Sequence, residues 1–145
     1  MIGIIGAMDE EVAQIVEVMQ VEREESKACM TFKAGKLNGK DVVVVRSGIG
    51  KVNAAVCTQI LVDDFNVDYV INTGIAGSLK AEINIADIVI SSDVLHHDMD
   101  ATGFGYPLGQ IPRMEVLSFE ADKKLIELAD KACKKVLPEI GTHIG

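Results

Sequence analysis

The sequence predicts an α/β protein built on a largely parallel sheet, and three observations carry that prediction. Short β-branched runs alternate with segments of helical periodicity, glycine-containing turns follow several of those runs, and one strong hairpin signal interrupts the alternation.

Met1–Ala7 (MIGIIGA) is short, apolar and β-branched, as expected of a strand buried on both faces. From Asp9 the pattern becomes helical. Val12, Ile15, Val16 and Met19 recur at helical spacing, and Asp9, Glu10 and Glu11 occupy the first turn, where the helix dipole favours acids. Residues 28–36 and 41–46 read as strands joined by Leu37-Asn38-Gly39-Lys40, since Asn-Gly between such runs suits a tight hairpin turn. Ser47-Gly48-Ile49-Gly50 breaks the pattern, and a helix over 51–64 follows, with Val52, Ala55, Val56, Ile60 and Leu61 among its apolar positions. Asp68–Asn72 is a further buried strand, closed by Thr73-Gly74-Ile75-Ala76-Gly77. Another strand is expected over 87–91, running on towards Leu95, and a loop rich in Gly and Pro extends from His97 to about Ser118. The last helix spans 121–136, with Leu125, Leu128, Ala129 and Ala132 on one face and Pro138 beyond its end. Thr142-His143-Ile144-Gly145 reads as the approach to one more strand, so the C-terminus is expected to be either interrupted or a short tail.

The totals fit one domain over residues 1–145: 48% of residues are hydrophobic and 25% charged. A formal net charge of -8, from 22 acids against 14 basic residues, argues against a nucleic-acid partner, whose phosphates are bound by Lys and Arg. The cysteines Cys29, Cys57 and Cys133 are odd in number and far apart, so neither a disulfide framework nor a zinc site is encoded, and a reducing cytoplasm fits best. The apolar start lacks a basic flank, which is unlike a signal peptide, and no run is long enough to span a membrane.

Two motifs fail on inspection. Ser47–Val52 (SGIGKV) suggests a phosphate loop, but a Walker A loop needs Gly where Val45 stands and Ser or Thr where Val52 stands. As a dinucleotide fingerprint it would need a small residue at Asn53. His96-His97-Asp98-x-Asp100 carries metal-capable groups, but adjacent histidines in an extended segment point to opposite faces, so no metal is expected. The acids after the first strand are more promising. Helical geometry turns Glu10 to solvent and leaves Asp9 and Glu11 on either border of the apolar stripe. Helix capping accounts for them without any function, whereas partial desolvation would raise a carboxyl pKa towards the range useful for proton transfer. They also sit where ligands bind in open α/β sheets, at the carboxyl end of a strand, as does the small-residue turn Thr73–Gly77.

The segments Gly3–Glu11, Ser47–Val52, Asn72–Gly77, His97-Asp98-x-Asp100 with Phe104-Gly105-Tyr106, and Gln110-x-Pro112 occur in order. Together they resemble the 5′-methylthioadenosine/S-adenosylhomocysteine nucleosidase family of the nucleoside phosphorylase/hydrolase superfamily. The resemblance implies a three-layer fold around a central twisted, mostly parallel mixed sheet, and hydrolysis of an N-glycosidic bond to adenine and a 5-thioribose product without metal or organic cofactor. It implies Glu11 as the water-activating residue, and Gly77, Ala76 and Ile75 as the turn lying against the substrate. Met8 and Ile49 match residues lining the pocket for the 5′-alkylthio group. Phe104 and Pro112, with Ala101, match positions that complete the pocket from a neighbouring subunit, so a homodimer is implied. Ile75 departs from the family, which often has a hydroxyl residue there. The family's proton-donating aspartate, its ribose-binding Met-Glu pair and most of its adenine pocket belong to a C-terminal region that this chain lacks, so the 145-residue chain is expected to be inactive alone.

Two rivals remain. A nucleoside phosphorylase needs cationic groups for phosphate, yet three acids and no Arg follow the first strand, and Arg46 is the only nearby candidate. A non-catalytic nucleoside-binding protein would keep the fold without turnover.

Overall fold

The computed structural model describes residues 1–145, whose packing divides the chain into two compact units, Met1–Gly77 and Ser78–Gly145. The first contains β1 (Ile2–Gly6), α1 (Asp9–Val18), β2 (Gln20–Lys27), β3 (Met30–Leu37), β4 (Lys40–Arg46), α2 (Lys51–Phe65) and β5 (Tyr69–Asn72). Its five strands form a mixed sheet in the order β2-β3-β4-β1-β5. β1 runs parallel to both neighbours, β4 and β5, while β2, β3 and β4 are successively antiparallel.

Strand alternation explains the layers. Along β4, Val42 and Val44 join Ile4, Val12 and Met19 under α1, and Val43 and Val45 join Phe32, Cys57 and Leu61 under α2. The central strands β1 and β4 are thus covered by α1 on one face and α2 on the other, as their apolar runs reflect, whereas β5, expected as a buried strand, is mostly exposed at the edge of the sheet. Of the apolar positions expected on α2, Ile60 and Leu61 are buried, whereas Val52, Ala55 and Val56 are exposed; Cys57 and Phe65 complete its packed face. Burial pushes the Cys57 thiol up to about 11, which suits an inert core residue, and all three cysteines are free.

β2 is not evident in the sequence. All eight of its residues are exposed, five are charged, and no apolar alternation marks it. Pairing with β3 makes it a strand, helped by Gly35: a Cβ there would stand 2.0 Å from the Gln20 carbonyl oxygen, beside the register shift between Val21 and Arg23. Ala28 and Cys29, read from sequence as strand, form the β2–β3 turn with φ of 50° and 62°. Neither residue type advertises a left-handed turn, so residue type alone places the strand start two residues before Met30. Asn38 and Gly39, by contrast, form the expected tight turn, with φ of 48° and 76°.

The second unit contains β6 (Ile88–Ile90), β7 (Asp93–Val94), a 3₁₀ turn at Thr102–Phe104, β8 (Phe119–Glu120), α3 (Lys123–Val136) and β9 (Thr142–Ile144). The single strand expected from 87 towards 95 is broken in two at Ser91-Ser92, where the Ser91 hydroxyl donates to the Asp93 carbonyl at 2.8 Å. β6 pairs in parallel with β9, and β7 pairs antiparallel with β8. Asp122 caps α3 by accepting from the Leu125 N–H at 2.9 Å. Of the apolar positions expected on α3, Leu125 and Ala129 are partly buried, joined by Ile126 and Cys133, whereas Leu128 and Ala132 are exposed. The tail that reads as an approaching strand is β9, and its His143 Nε2 lies 3.0 Å from Asp87 Oδ2. No helix is long and apolar enough to cross a membrane.

Candidate active site

Because β1 runs parallel to β4 and β5, their C-terminal ends emerge at one edge, with Gly6 beside Arg46 and Ile5 beside Asn72. Three segments leave that edge together: 7–8 after β1, 47–50 after β4 and 73–77 after β5. Backbone bonds tie the exits, Ser47 N–H to the Gly6 carbonyl and Thr73 N–H to the Ile5 carbonyl, both at 2.9 Å. Ser47 is buried and its hydroxyl donates to the Gly48 carbonyl at 2.9 Å, securing the turn. Met8, Glu11, Ile49, Ile75, Ala76 and Gly77 are therefore gathered at one end of this sheet.

Glu11 occupies the third position of α1 and turns back towards the strand ends. Its Oε2 accepts from the N–H groups of Ala7 at 2.6 Å and Met8 at 3.0 Å, and its Oε1 accepts from the N–H of Ile75 at 3.1 Å. The Met8 bond is ordinary capping, in which the N3 carboxylate serves the N-cap amide. Capping does not account for the Ile75 bond, which reaches 64 residues along the chain to the exit of β5. The backbone donors of Ala7 and Ile75 carried no side-chain signal in the sequence.

These bonds correct the expectation of a raised carboxyl pKa. The Ile75 N–H foremost, then that of Met8, with that of Ala7, hold Glu11 below its ordinary range; partial burial pushes the other way and loses. A carboxylate offers about four acceptor positions. Three N–H groups occupy three of them, leaving one on Oε1 for an incoming donor. A carboxyl held below its ordinary range stabilises the fold above the unfolded-state pKa, and that contribution disappears as pH falls through the folded-state value. The melting temperatures of wild type and Glu11→Gln are thus expected to differ most near neutrality and to converge in acid, below the ~4.3 of an unperturbed glutamate. A gap independent of pH, measured by thermal denaturation across that range, would contradict the assigned bonds.

Asp9 is engaged elsewhere. Its Oδ1 lies 3.0 Å from Nε of Arg46, and both line a groove of about 640 Å³ between α1 and the β2–β4 face that Glu11 does not line. Arg46, at the C-terminal end of β4, therefore faces an acid. Ile49 and Ile75 are 74% and 84% exposed, so the Ile75 side chain is presented to solvent while its N–H holds the carboxylate. Ala76 and Gly77 are exposed as well.

Ala101, Phe104 and Pro112 belong to the second unit. Phe104 is 87% exposed and Pro112 is exposed, whereas Ala101 is only 6% exposed. The Ala101 carbonyl accepts from the N–H groups of Phe104 at 3.0 Å and Tyr106 at 3.4 Å, so Ala101 anchors the turn that displays Phe104. No group of three or more His, Cys, Asp or Glu side chains converges in a way that could hold a metal ion.

A family model described as the phosphorylase superfamily matches residues 1–145. The chain belongs to the phosphorylase superfamily. Within the superfamily it is similar to 5′-methylthioadenosine/S-adenosylhomocysteine nucleosidases. It is 51% identical to that of a Marinomonas species over 135 residues, 93% of this chain and 58% of the relative. It is 46% identical to that of Oceanobacillus iheyensis over 144 residues, 99% of this chain and 62% of the relative. Among solved structures, the Colwellia psychrerythraea nucleosidase in complex with adenine superposes with a TM-score of 0.94 at 45% identity, covering 99% of this chain and 59% of that one. The Neisseria meningitidis nucleosidase in complex with methylthio-immucillin-A gives 0.94 at 39% identity, covering 99% and 62%. The chain thus spans about three-fifths of the length of these relatives. Its fold is the nucleoside phosphorylase/hydrolase fold expected from sequence, with a mixed sheet between helices.

Proposed function

We propose that this chain forms part of an enzyme that hydrolyses the N-glycosidic bond of 5′-methylthioadenosine and S-adenosylhomocysteine. The observation that carries the reading is the ionised Glu11 carboxylate, held by N–H groups from two strand exits with one acceptor position open on Oε1. That position suits the O–H of a water molecule, and the negative charge suits an oxocarbenium-like ribosyl cation. In the reaction a bond forms between the water oxygen and the anomeric carbon while the carbon–nitrogen bond to adenine breaks. The departing electron pair stays on adenine, whose ring nitrogen takes up a proton from a general acid, and the attacking water passes its proton to the Glu11 carboxylate. The route uses water, a carboxylate and a proton donor, with no metal or organic cofactor among its reactants.

The nucleoside itself is a proposal supported by the relatives crystallised with adenine and with methylthio-immucillin-A. Gly77, Ala76 and Ile75 would lie against it. Met8 and Ile49 supply apolar surface for a thioether tail, to which Phe104 and Pro112 of a second copy would add in a homodimer, with Ala101 anchoring the Phe104 turn. Three free cysteines fit a cytoplasmic location.

The test is adenine release from 5′-methylthioadenosine with and without phosphate, using the chain alone and the chain joined to the part of the Marinomonas relative that it does not cover. Release by the joined protein, indifferent to phosphate, is expected, with none from the chain alone. Strict phosphate dependence would instead make it a phosphorylase. Binding without turnover in the joined protein would make it a nucleoside-binding protein.

A further inference from the structure

We propose that Gly74 is a positioning residue for the Glu11 carboxylate, its missing side chain being the space into which that carboxylate is drawn to meet the Ile75 N–H. The proposal rests on the reading of Glu11 given above, but its structural part can fail or hold independently.

A Cβ added at Gly74 would stand 2.4 Å from Glu11 Oε1 and 2.8 Å from its Cδ, far inside contact distance. The backbone of Gly74 is not in the left-handed region, so the requirement is for room and not for a conformation that only glycine adopts. Its companion in the same turn behaves differently: a Cβ on Gly77 would meet nothing within 4 Å. On the other side of the carboxylate, a Cβ on Gly6 would stand 3.0 Å from Glu11 Cβ and 2.7 Å from Val12 Cγ1. The carboxylate thus lies in a slot between the exits of β1 and β5. Substituting Gly6 would also displace α1 through Val12, whereas at Gly74 the obstructed atoms are the far end of a flexible side chain. A methyl group at position 74 is therefore accommodated by Glu11 yielding, not by the fold opening. What is lost is the bond from Ile75, the largest influence holding the carboxyl ionised.

The experiment is an NMR titration of the Glu11 side-chain carboxyl in the 145-residue chain, wild type and Gly74→Ala. In wild type the midpoint is expected below the usual glutamate range, and the Ile75 amide proton should follow the same midpoint. In Gly74→Ala the midpoint should rise towards the usual glutamate range while the Ala7 and Met8 bonds keep it from returning fully, and the Ile75 amide should no longer report it. An unchanged midpoint with the amide still coupled overturns the proposal. Melting temperatures supply a second readout: Gly74→Ala should lower stability with Glu11 present and have a clearly smaller effect in a Glu11→Ala background. Equal losses in both backgrounds also overturn it. In the joined protein kcat should fall by about 10²-fold with little change in KM. Should the titration behave as expected while Glu11→Gln retains turnover, the positioning stands and the catalytic reading of Glu11 falls.

Discussion

Glu11→Gln is expected to lower kcat for adenine release by about 10³-fold or more, with analogue binding retained within a few-fold. The substitution preserves length and the N3 position but removes the charge, and with it the attraction for a ribosyl cation. It also disturbs the slot. The glutamine oxygen can serve either the Ala7 and Met8 amides or the Ile75 amide, while its NH₂ group faces N–H donors on the other side. Asp9→Asn is the control. It removes an exposed pairing with Arg46 in a groove that Glu11 does not line, and turnover should change by less than about threefold. Steady-state adenine release by the joined protein measures both variants, and near-normal turnover in Glu11→Gln would remove this carboxylate from the mechanism.

The contrast between these two acids shows what the sequence could reveal and what it could not. Spacing places Asp9 and Glu11 on either border of the same helical stripe, and local rules treat them alike. Their difference lies in their partners. Asp9 meets Arg46 from β4, and Glu11 meets an N–H that follows β5. Neither pairing has a local signature, because each depends on which strands neighbour β1. Desolvation was the legible influence on a half-buried carboxyl, whereas backbone donors, identical in every residue, left no trace in composition. Burial alone points the Glu11 carboxyl upwards, and the backbone donors hold it down.

The fold was legible where chemistry is local. The apolar runs of β1 and β4, the first turn of α1 and the Asn38-Gly39 turn each state their conformation in residue type. β2 states nothing of the kind. It is a strand through its hydrogen bonds to β3, with the ion pairs of Glu24 to Lys33 on β3 and of Lys27 to Asp64 on α2 beside them. Residues 51–65 show a similar limit, since Val52 and Val56 satisfy helical periodicity as well as Ile60 and Leu61 do, yet only the latter pair is buried. Periodicity identifies a helix and its apolar residues, but the layers beneath it select which of them are covered.

Phe32→Ala is expected to produce the largest loss of stability, about 3–5 kcal/mol. Phe32 is fully buried at the β3 position opposite Val45, and its ring stacks on Phe65 at 5.4 Å between centroids with an interplanar angle of 24°. Removing it deletes a large apolar volume from the layer beneath α2, and the rigid neighbours Val43, Val45 and Leu61 cannot close around the gap. A small domain has only about 5–15 kcal/mol in total, so the loss removes a large fraction of it. Urea unfolding followed through the β4 amides should show a lower midpoint with an unchanged slope, as expected when the native state is weakened without altering what unfolding exposes. The Glu11 carboxyl offers a separate readout in the same samples. Its donors are backbone groups at the strand exits, and its helix packs on the opposite face through Val12 and Met19. Molecules that remain folded should therefore keep the Glu11 midpoint below the glutamate range even as the urea midpoint falls. A loss under about 1 kcal/mol would mean that the core refills around position 32, well below the range for truncating a buried aromatic residue. A Glu11 midpoint that rose together with the loss of stability would mean that the strand exits depend on the layer beneath α2, and that the slot is not held by its own bonds.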